Sequence, residues 1–191
     1  MSEYLNLTRT HSVRVNYDVR MKMSDGVEWA VHCCVVLTAA ERPVPAARLA
    51  EFHDVSGSYL AKQLQALSRA TIIKSVQGKD GGYVLGRPPG QITVLDIVRA
   101  VDGSRPAFVC TEIRQRGPLA TPPEQCLEPC GIARTMAAAE KAWRESLRAV
   151  TVLDLAGEVA AKFSPAHAGR LTGWLSGRPG EQGGPGVVTN S

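Results

Sequence analysis

The sequence predicts a mainly α fold with a small β wing, and three patterns lead to it. Apolar residues recur at helical spacing in successive segments before residue 70, two short β-branched runs bracket a Gly-rich turn near residue 80, and an alanine-rich stretch with few breakers follows residue 131. The chain has 191 residues, which allows one medium domain, or one small domain plus an extended helix. Apolar residues make up 44% and charged residues 21%, the balance of a globular protein rather than a disordered one. Aromatics are only 5%, so the core must be built mainly from Val, Leu, Ile and Ala.

The first helix is expected over about residues 26–40, where Val27, Ala30, Val31, Cys34, Val35 and Thr38 share one stripe before Pro43 and Pro45 break it. A short helix follows from Pro45 to Glu51 with Leu49 inward, then a turn at His53, Asp54 and Val55. Ser56 can cap a third helix to about Arg69, with Leu60, Leu64 and Leu67 on its inner face. Ile72–Val76 and Tyr83–Leu85 flank the turn-forming run 77–82 and form a hairpin. Thr93 with Asp96 has the spacing of a capping box opening a helix to about Asp102. In order, these elements make a winged helix-turn-helix unit over residues 21–103.

Residues 104–131 read as a long, Pro-punctuated loop bearing cysteines. The segment 132–176 carries Met136, Ala139, Trp143, Leu147 and Val150 at steps of three or four, the seam of a helix that packs on a partner helix and so dimerises. Thr151 with Asp154 offers a restart into a further helical segment. Residues 177–191 are Gly/Pro-rich and are expected to be a disordered tail. Residues 1–20 are an N-terminal extension without an apolar signal-peptide core, and Met21 offers a second plausible start. No apolar stretch approaches the roughly 18–20 residues of a membrane span, so a soluble, cytoplasmic protein is expected.

The charge balance of 22 basic to 18 acidic residues is mild, but it is unevenly placed. Between residues 45 and 90, Arg48, Lys62, Arg69, Lys74, Lys79 and Arg87 outnumber Glu51, Asp54 and Asp80. The outer face of the third helix offers Ser56, Ser58, Tyr59, Lys62, Gln63 and Gln65, groups suited to phosphates and base edges, with Lys79 at the wing tip. Singly, each suits a solvated face equally well. In the order helix, turn, helix, wing, they point to double-stranded DNA.

The five cysteines are odd in number and unevenly placed, which argues against a disulfide scaffold. Cys33 and Cys34 lie on the first helix as packing residues. Cys110, Cys126 and Cys130 lie in the loop, three thiols that leave a four-thiolate site one ligand short. Glu28 and His32 stand four apart on one side of the first helix, where they form either a surface pair or half of a metal site completed by another chain's loop. A thiol switch in the loop is the other reading.

The strings MKMSDGVEWAV, RLAEFHDVSGSYLAKQLQALSRA and GKDGGYVLGRPPGQITVLDIVRAVDG, followed by three loop cysteines and a long helix, resemble the Rrf-type family of winged-helix iron-sulfur transcription regulators that includes IscR, NsrR and RsrR. The resemblance covers about residues 21–163. EWAVHCCVV and FVCTEIRQRGPLATPPEQC look most like the RsrR branch. It implies a homodimer on a palindromic operator, with loop cysteines holding a cluster whose state sets DNA affinity. An acidic ligand from the partner's first helix is implied too, at the place of Glu28. On that resemblance a two-iron, two-sulfur (2Fe-2S) cluster is expected on Cys110 and Cys130 with Glu28 and His32 across the subunit boundary. The cysteine spacing departs from the common pattern, so Cys126 stays in reserve. Replacing thiolates by carboxylate and imidazole eases reduction, which favours redox sensing. Trp29 beside Glu28 and His53 in the turn are the expected moving parts. A disulfide or zinc switch on the same dimer is the alternative. A small metal-dependent hydrolase using Glu28 and His32 is the alternative of another class, but no phosphate loop, nucleophile elbow or HExxH motif supports an enzyme.

Overall fold

The computed structural model describes residues 23–177, so the expectations for residues 1–20 and for nearly all of the tail lie outside the described residues. Helix α1 spans Asp25–Thr38, α2 Ala46–Phe52 and α3 Gly57–Arg69. Strands β1 (Ile73–Val76) and β2 (Gly82–Leu85) pair antiparallel, with Ile73 opposite Leu85 and Val76 opposite Gly82. Helix α4 covers Val94–Asp102, α5 Gly131–Arg148, α6 Val152–Lys162 and α7 Pro165–Ser176. The mainly helical winged fold expected from the sequence is the fold observed.

The core gathers around α1, which packs against α3, α4, α6 and β2. That central position explains why α1 buries Cys33, Val36 and Leu37 as well as Val27, Ala30 and Cys34, more than a single stripe would. Leu49, Leu60, Leu64 and Leu67 are fully buried, as their spacing requires. The α2–α3 turn closes through Asp54 in the left-handed region (φ 50°) and a bond from the Val55 amide to the Ala50 carbonyl of 3.0 Å. Ser56 sits at the N-terminus of α3, but its hydroxyl bonds that of Ser58 at 2.8 Å instead of capping the helix.

The wing is braced from behind: Val44 and Tyr83 exchange backbone bonds of 3.0 and 2.8 Å. Gly82 is required there, because a Cβ would lie 2.4 Å from the Val44 carbonyl carbon.

Both expected capping pairs form. Thr93 with Asp96 and Thr151 with Asp154 are reciprocal boxes, and they lie side by side, tied by Val94 N–H to Val150 C=O (2.9 Å) and Val152 N–H to Ile92 C=O (2.8 Å). This junction ends α5 and turns α6 back onto the winged unit, so that Val152 is fully buried. Leu175 of α7 joins the same core. The winged unit is therefore not closed by residues 21–103 alone. α5 buries none of its residues; Met136 and Ala139 of its seam are exposed, while Trp143 and Leu147 are half-covered.

Candidate nucleic-acid interface and metal-ligand residues

The face of α3 away from the core presents Ser58, Tyr59, Lys62 and Gln65 to solvent, with Ser56 at its start. Gln63 does not belong to that face. It is only 6% exposed, and its amide lies 2.7 Å from where a Cβ on Gly26 would stand, so it fills the space that the glycine of α1 leaves open. Lys79 is exposed at the wing tip beside Gly78, whose φ of 119° suits glycine. The basic residues divide into two kinds. Arg48 is interior at 1% exposure, and Arg87 is committed to Asp96 (3.5 Å) and the Gln91 carbonyl (3.3 Å). Lys62, Arg69, Lys74 and Lys79 remain exposed cations, joined by Arg42, which lines a cleft with Lys79 between the wing tip and the end of α7.

Glu28 and His32 are exposed, one turn apart on α1, at the edge of a cleft of about 390 Å³ walled by Val31, Val94, Val98 and Leu147. Cys110 is exposed, and Cys126 and Cys130 are half-exposed free thiols. Cys130 is the N-cap of α5, its Sγ accepting from the Ala133 amide at 3.4 Å, so one candidate donor sits at the positive end of a helix. Among the described residues no three His, Cys, Asp or Glu side chains converge, so one chain does not assemble the four expected ligands. The donor chemistry fits a shared site: O and N donors on one face and thiols on another, with only Cys130 Sγ engaged internally, as the weak acceptor of the Ala133 amide.

Arg114, which sequence reasoning missed, organises the cysteine loop. Its guanidinium donates to the Glu112 carboxylate at 2.5 and 2.8 Å and to the Glu128 carbonyl at 3.0 Å, while its own carbonyl accepts from Thr121 N–H at 2.7 Å. It thus ties the segment after Cys110 to the segment between Cys126 and Cys130. The hydrogen bond from Arg114 holds the Glu112 carboxyl below the usual carboxylate range, and Glu112 in turn holds the proton on Arg114 more tightly. Glu112 carries a left-handed φ of 51°, uncommon for a non-glycine residue.

Cys33 and Cys34 are fully buried, as expected of packing residues. Burial pushes the Cys33 thiol up to about 12 and the Cys34 thiol up as well, with Cys33 adding to the latter. Trp29 and His53, expected only as separate moving parts, are neighbours. The His53 ring stands 6.0 Å from Trp29, 5.8 Å from His32 and 4.9 Å from Phe52, all edge-on. Burial first, and His32 second, lower the His53 pKa, and its Nε2 is buried without a hydrogen-bond partner. The turn of the helix-turn-helix therefore touches the residue expected to bind metal.

Comparison with known proteins agrees with this architecture. A family model described as "Rrf2: Iron-dependent Transcriptional regulator" matches residues 23–158. The "HTH-type transcriptional regulator IscR" of Xenorhabdus nematophila is 41% identical over 76 residues, which is 40% of this chain and 46% of that protein. The chain thus spans about half the length of that curated relative. Among solved structures, CymR, "the Global Cysteine Regulator of B. subtilis", superposes with a TM-score of 0.59 at 26% identity, covering 72% of this chain and 98% of that one. T. potens IscR, at 23% identity and TM-score 0.57 over 78% and 96% of the two chains, shares the fold.

Proposed function

The chain belongs to the Rrf2 family of iron-dependent transcriptional regulators, a regulator and not an enzyme, and from that premise we propose that it is a cytoplasmic homodimer whose operator affinity follows the redox state of a 2Fe-2S cluster held between subunits. The α3 faces of the two copies read half-sites of a palindromic operator about one helical turn apart, with Ser56, Ser58, Tyr59 and Lys62 at the groove and Lys79 on the flanking backbone. The apolar seam of α5, with Met136 and Ala139 exposed and Trp143 and Leu147 only half-covered in one chain, supports pairing with a second copy. Glu28 and His32 of one protomer, with Cys110 and Cys130 of the other, would hold the cluster, Cys126 being the reserve thiol. When bound, the cluster supplies a reversible one-electron couple, eased by His ligation.

The observation that carries the reading is the contact of His53 with both His32 and Trp29. His32 is held on α1; His53 sits in the turn that sets α2 against α3. A ligand-driven change in the His32 ring is passed by direct contact to His53 and so to the reading helix. Trp29 flanks the same ring and follows it.

Protein purified without oxygen is expected to be coloured, to contain iron, and to lose both in Cys110→Ala and His32→Ala while keeping its helical content. A colourless, iron-free wild type that still binds operator with redox-dependent affinity removes the cluster. A second reading, a thiol switch, draws on the half-exposed free thiols Cys126 and Cys130; reversible loss of two titratable thiols on oxidation of iron-free protein would favour it.

A further inference from the structure

The interior of the winged unit holds a charge that the reading above does not use. Arg48, on the first helix of the helix-turn-helix, is 1% exposed, and a guanidinium in such a place requires acceptors. Nε and Nη2 both donate to the Trp174 carbonyl, at 3.0 and 2.6 Å, and Nη1 donates to Glu51 at 3.3 Å. The Trp174 ring also covers the guanidinium, 3.8 Å from its carbon to the ring centroid, and stands 5.4 Å from Phe52 at the end of α2. The Trp174 carbonyl belongs to the last turn of α7, where the helix dipole is negative, and it also accepts from the Gly177 amide at 3.2 Å. Leu175 is buried in the core, and Leu175, Ser176 and Gly177 wall one side of the cleft that Arg42, Lys79 and Asp80 of the wing side complete. One helix, lying past the stretch matched by the family model, thus touches both α2 and the surroundings of the wing tip.

We propose that Arg48 and Trp174 are positioning residues for DNA recognition: α7 locks onto α2 through them and sets α2, and with it α3 and the wing, in the arrangement that reads the operator. Without the α7 carbonyl and ring, Arg48 is left as a buried charge short of acceptors, and α2 must move to hydrate it. Neither residue reaches DNA in this scheme, so the lock changes affinity without changing the number of phosphates neutralised.

The proposal rests on the operator-binding reading, and its test keeps the two apart. In the full chain, Trp174→Ala is expected to weaken operator binding by about tenfold, with the slope of log affinity against log salt unchanged. Trp174→Phe, which keeps a ring over the guanidinium, is expected to recover binding to within about threefold. Trp174→Ala removes the ring but leaves the carbonyl of residue 174, so the Arg48 Nε–H signal in NMR is expected to be protected from exchange in wild type and in Trp174→Phe and to be less protected in Trp174→Ala, where α7 is held by the carbonyl alone. Should Trp174→Ala fail to fold, Arg48→Lys, which keeps the charge but not the guanidinium fork under the ring, is expected to weaken operator binding with the same unchanged salt slope. Wild-type affinity or tighter binding in Trp174→Ala overturns the lock, as does a salt slope reduced by about one phosphate contact, which would make α7 a direct DNA contact. A wild type that binds no operator DNA overturns the regulator reading instead, and Arg48 Nε–H protection then reports on the docking of α7 alone.

Discussion

The winged unit and the cysteine-bearing region that follows it treat apolar residues in opposite ways. In the first, Leu49, Leu60, Leu64, Leu67, Ile72, Ile73, Ile92 and Ile97 are fully buried around α1. In the second, Leu119 and Leu127 are 94% and 84% exposed, and Val109, Ile113 and Ile132 also face solvent. The polar groups follow suit: interior Arg48 and Gln63 are fitted to neighbours, whereas the loop cysteines keep free thiols. The first region is finished by one chain's own hydrophobic burial. The second has polar ties centred on Arg114 and leaves its apolar groups exposed and its thiols free.

The contrast can be broken most directly by truncation. Leu64→Ala removes a fully buried side chain and is expected to cost about 2–5 kcal/mol in denaturant unfolding, whereas Leu119→Ala should cost less than about 0.5 kcal/mol. Similar losses for both would mean the loop is packed as a core.

Thiol chemistry sharpens it next. Iron-free, reduced protein at pH 8 is expected to react with a thiol reagent at Cys110, Cys126 and Cys130 only, and at all five cysteines once denatured. Cys33 has a pKa raised to about 12, so it stays a neutral, unreactive thiol at pH 8 and ionises in the native state only as pH nears that value. Five reactive native thiols would refute the packing role of Cys33 and Cys34.

A smaller effect is expected at the surface of the winged unit. Lys62→Ala should weaken operator binding without lowering the melting temperature and should reduce the salt slope by about one phosphate contact. An unchanged slope removes Lys62 from the interface. Smallest is Thr151→Ala at the junction between the two regions, expected to cost about 1 kcal/mol through loss of the cap at α6. Because Asp154 also receives the Thr151 hydroxyl bond, which holds its carboxyl below the ordinary range, the stability it adds is present above the unfolded carboxyl's pKa and the loss in Thr151→Ala should shrink as pH falls from there through the lower folded pKa. A loss that grew on acidification would contradict this.

Much of the fold was legible in the sequence because its signals are local. The stripe of Leu60, Leu64 and Leu67, the turn run before Gly82, and the Thr–Asp pairs at 93/96 and 151/154 each specify their own element within one or two turns of chain. The buried face of α1 is wider than its stripe predicts, with Cys33, Val36 and Leu37 also covered, because α1 packs against α3, α4, α6 and β2 and periodicity does not record how many neighbours a helix has. Of the candidate site, Glu28, His32 and Cys110 are exposed and Cys126 and Cys130 half-exposed, and among the described residues one chain does not bring them together. Gln63 was misplaced for a related reason: its polarity suggested solvent, and the bare Cα of Gly26 offered a slot for it.

By itself the sequence determined the order of helices and wing, the two capping boxes, and the separation of packing cysteines from loop cysteines, since each is a property of neighbours along the chain. Tertiary structure alone decided which basic residues remain outside. Arg48 and Lys62 read alike as cations of the recognition unit, yet the acceptor that draws Arg48 inside is a carbonyl 126 positions away, at the end of a helix that returns only once α6 has turned back. Burying a charge is worthwhile only where such a partner is already in place, and no local pattern records that.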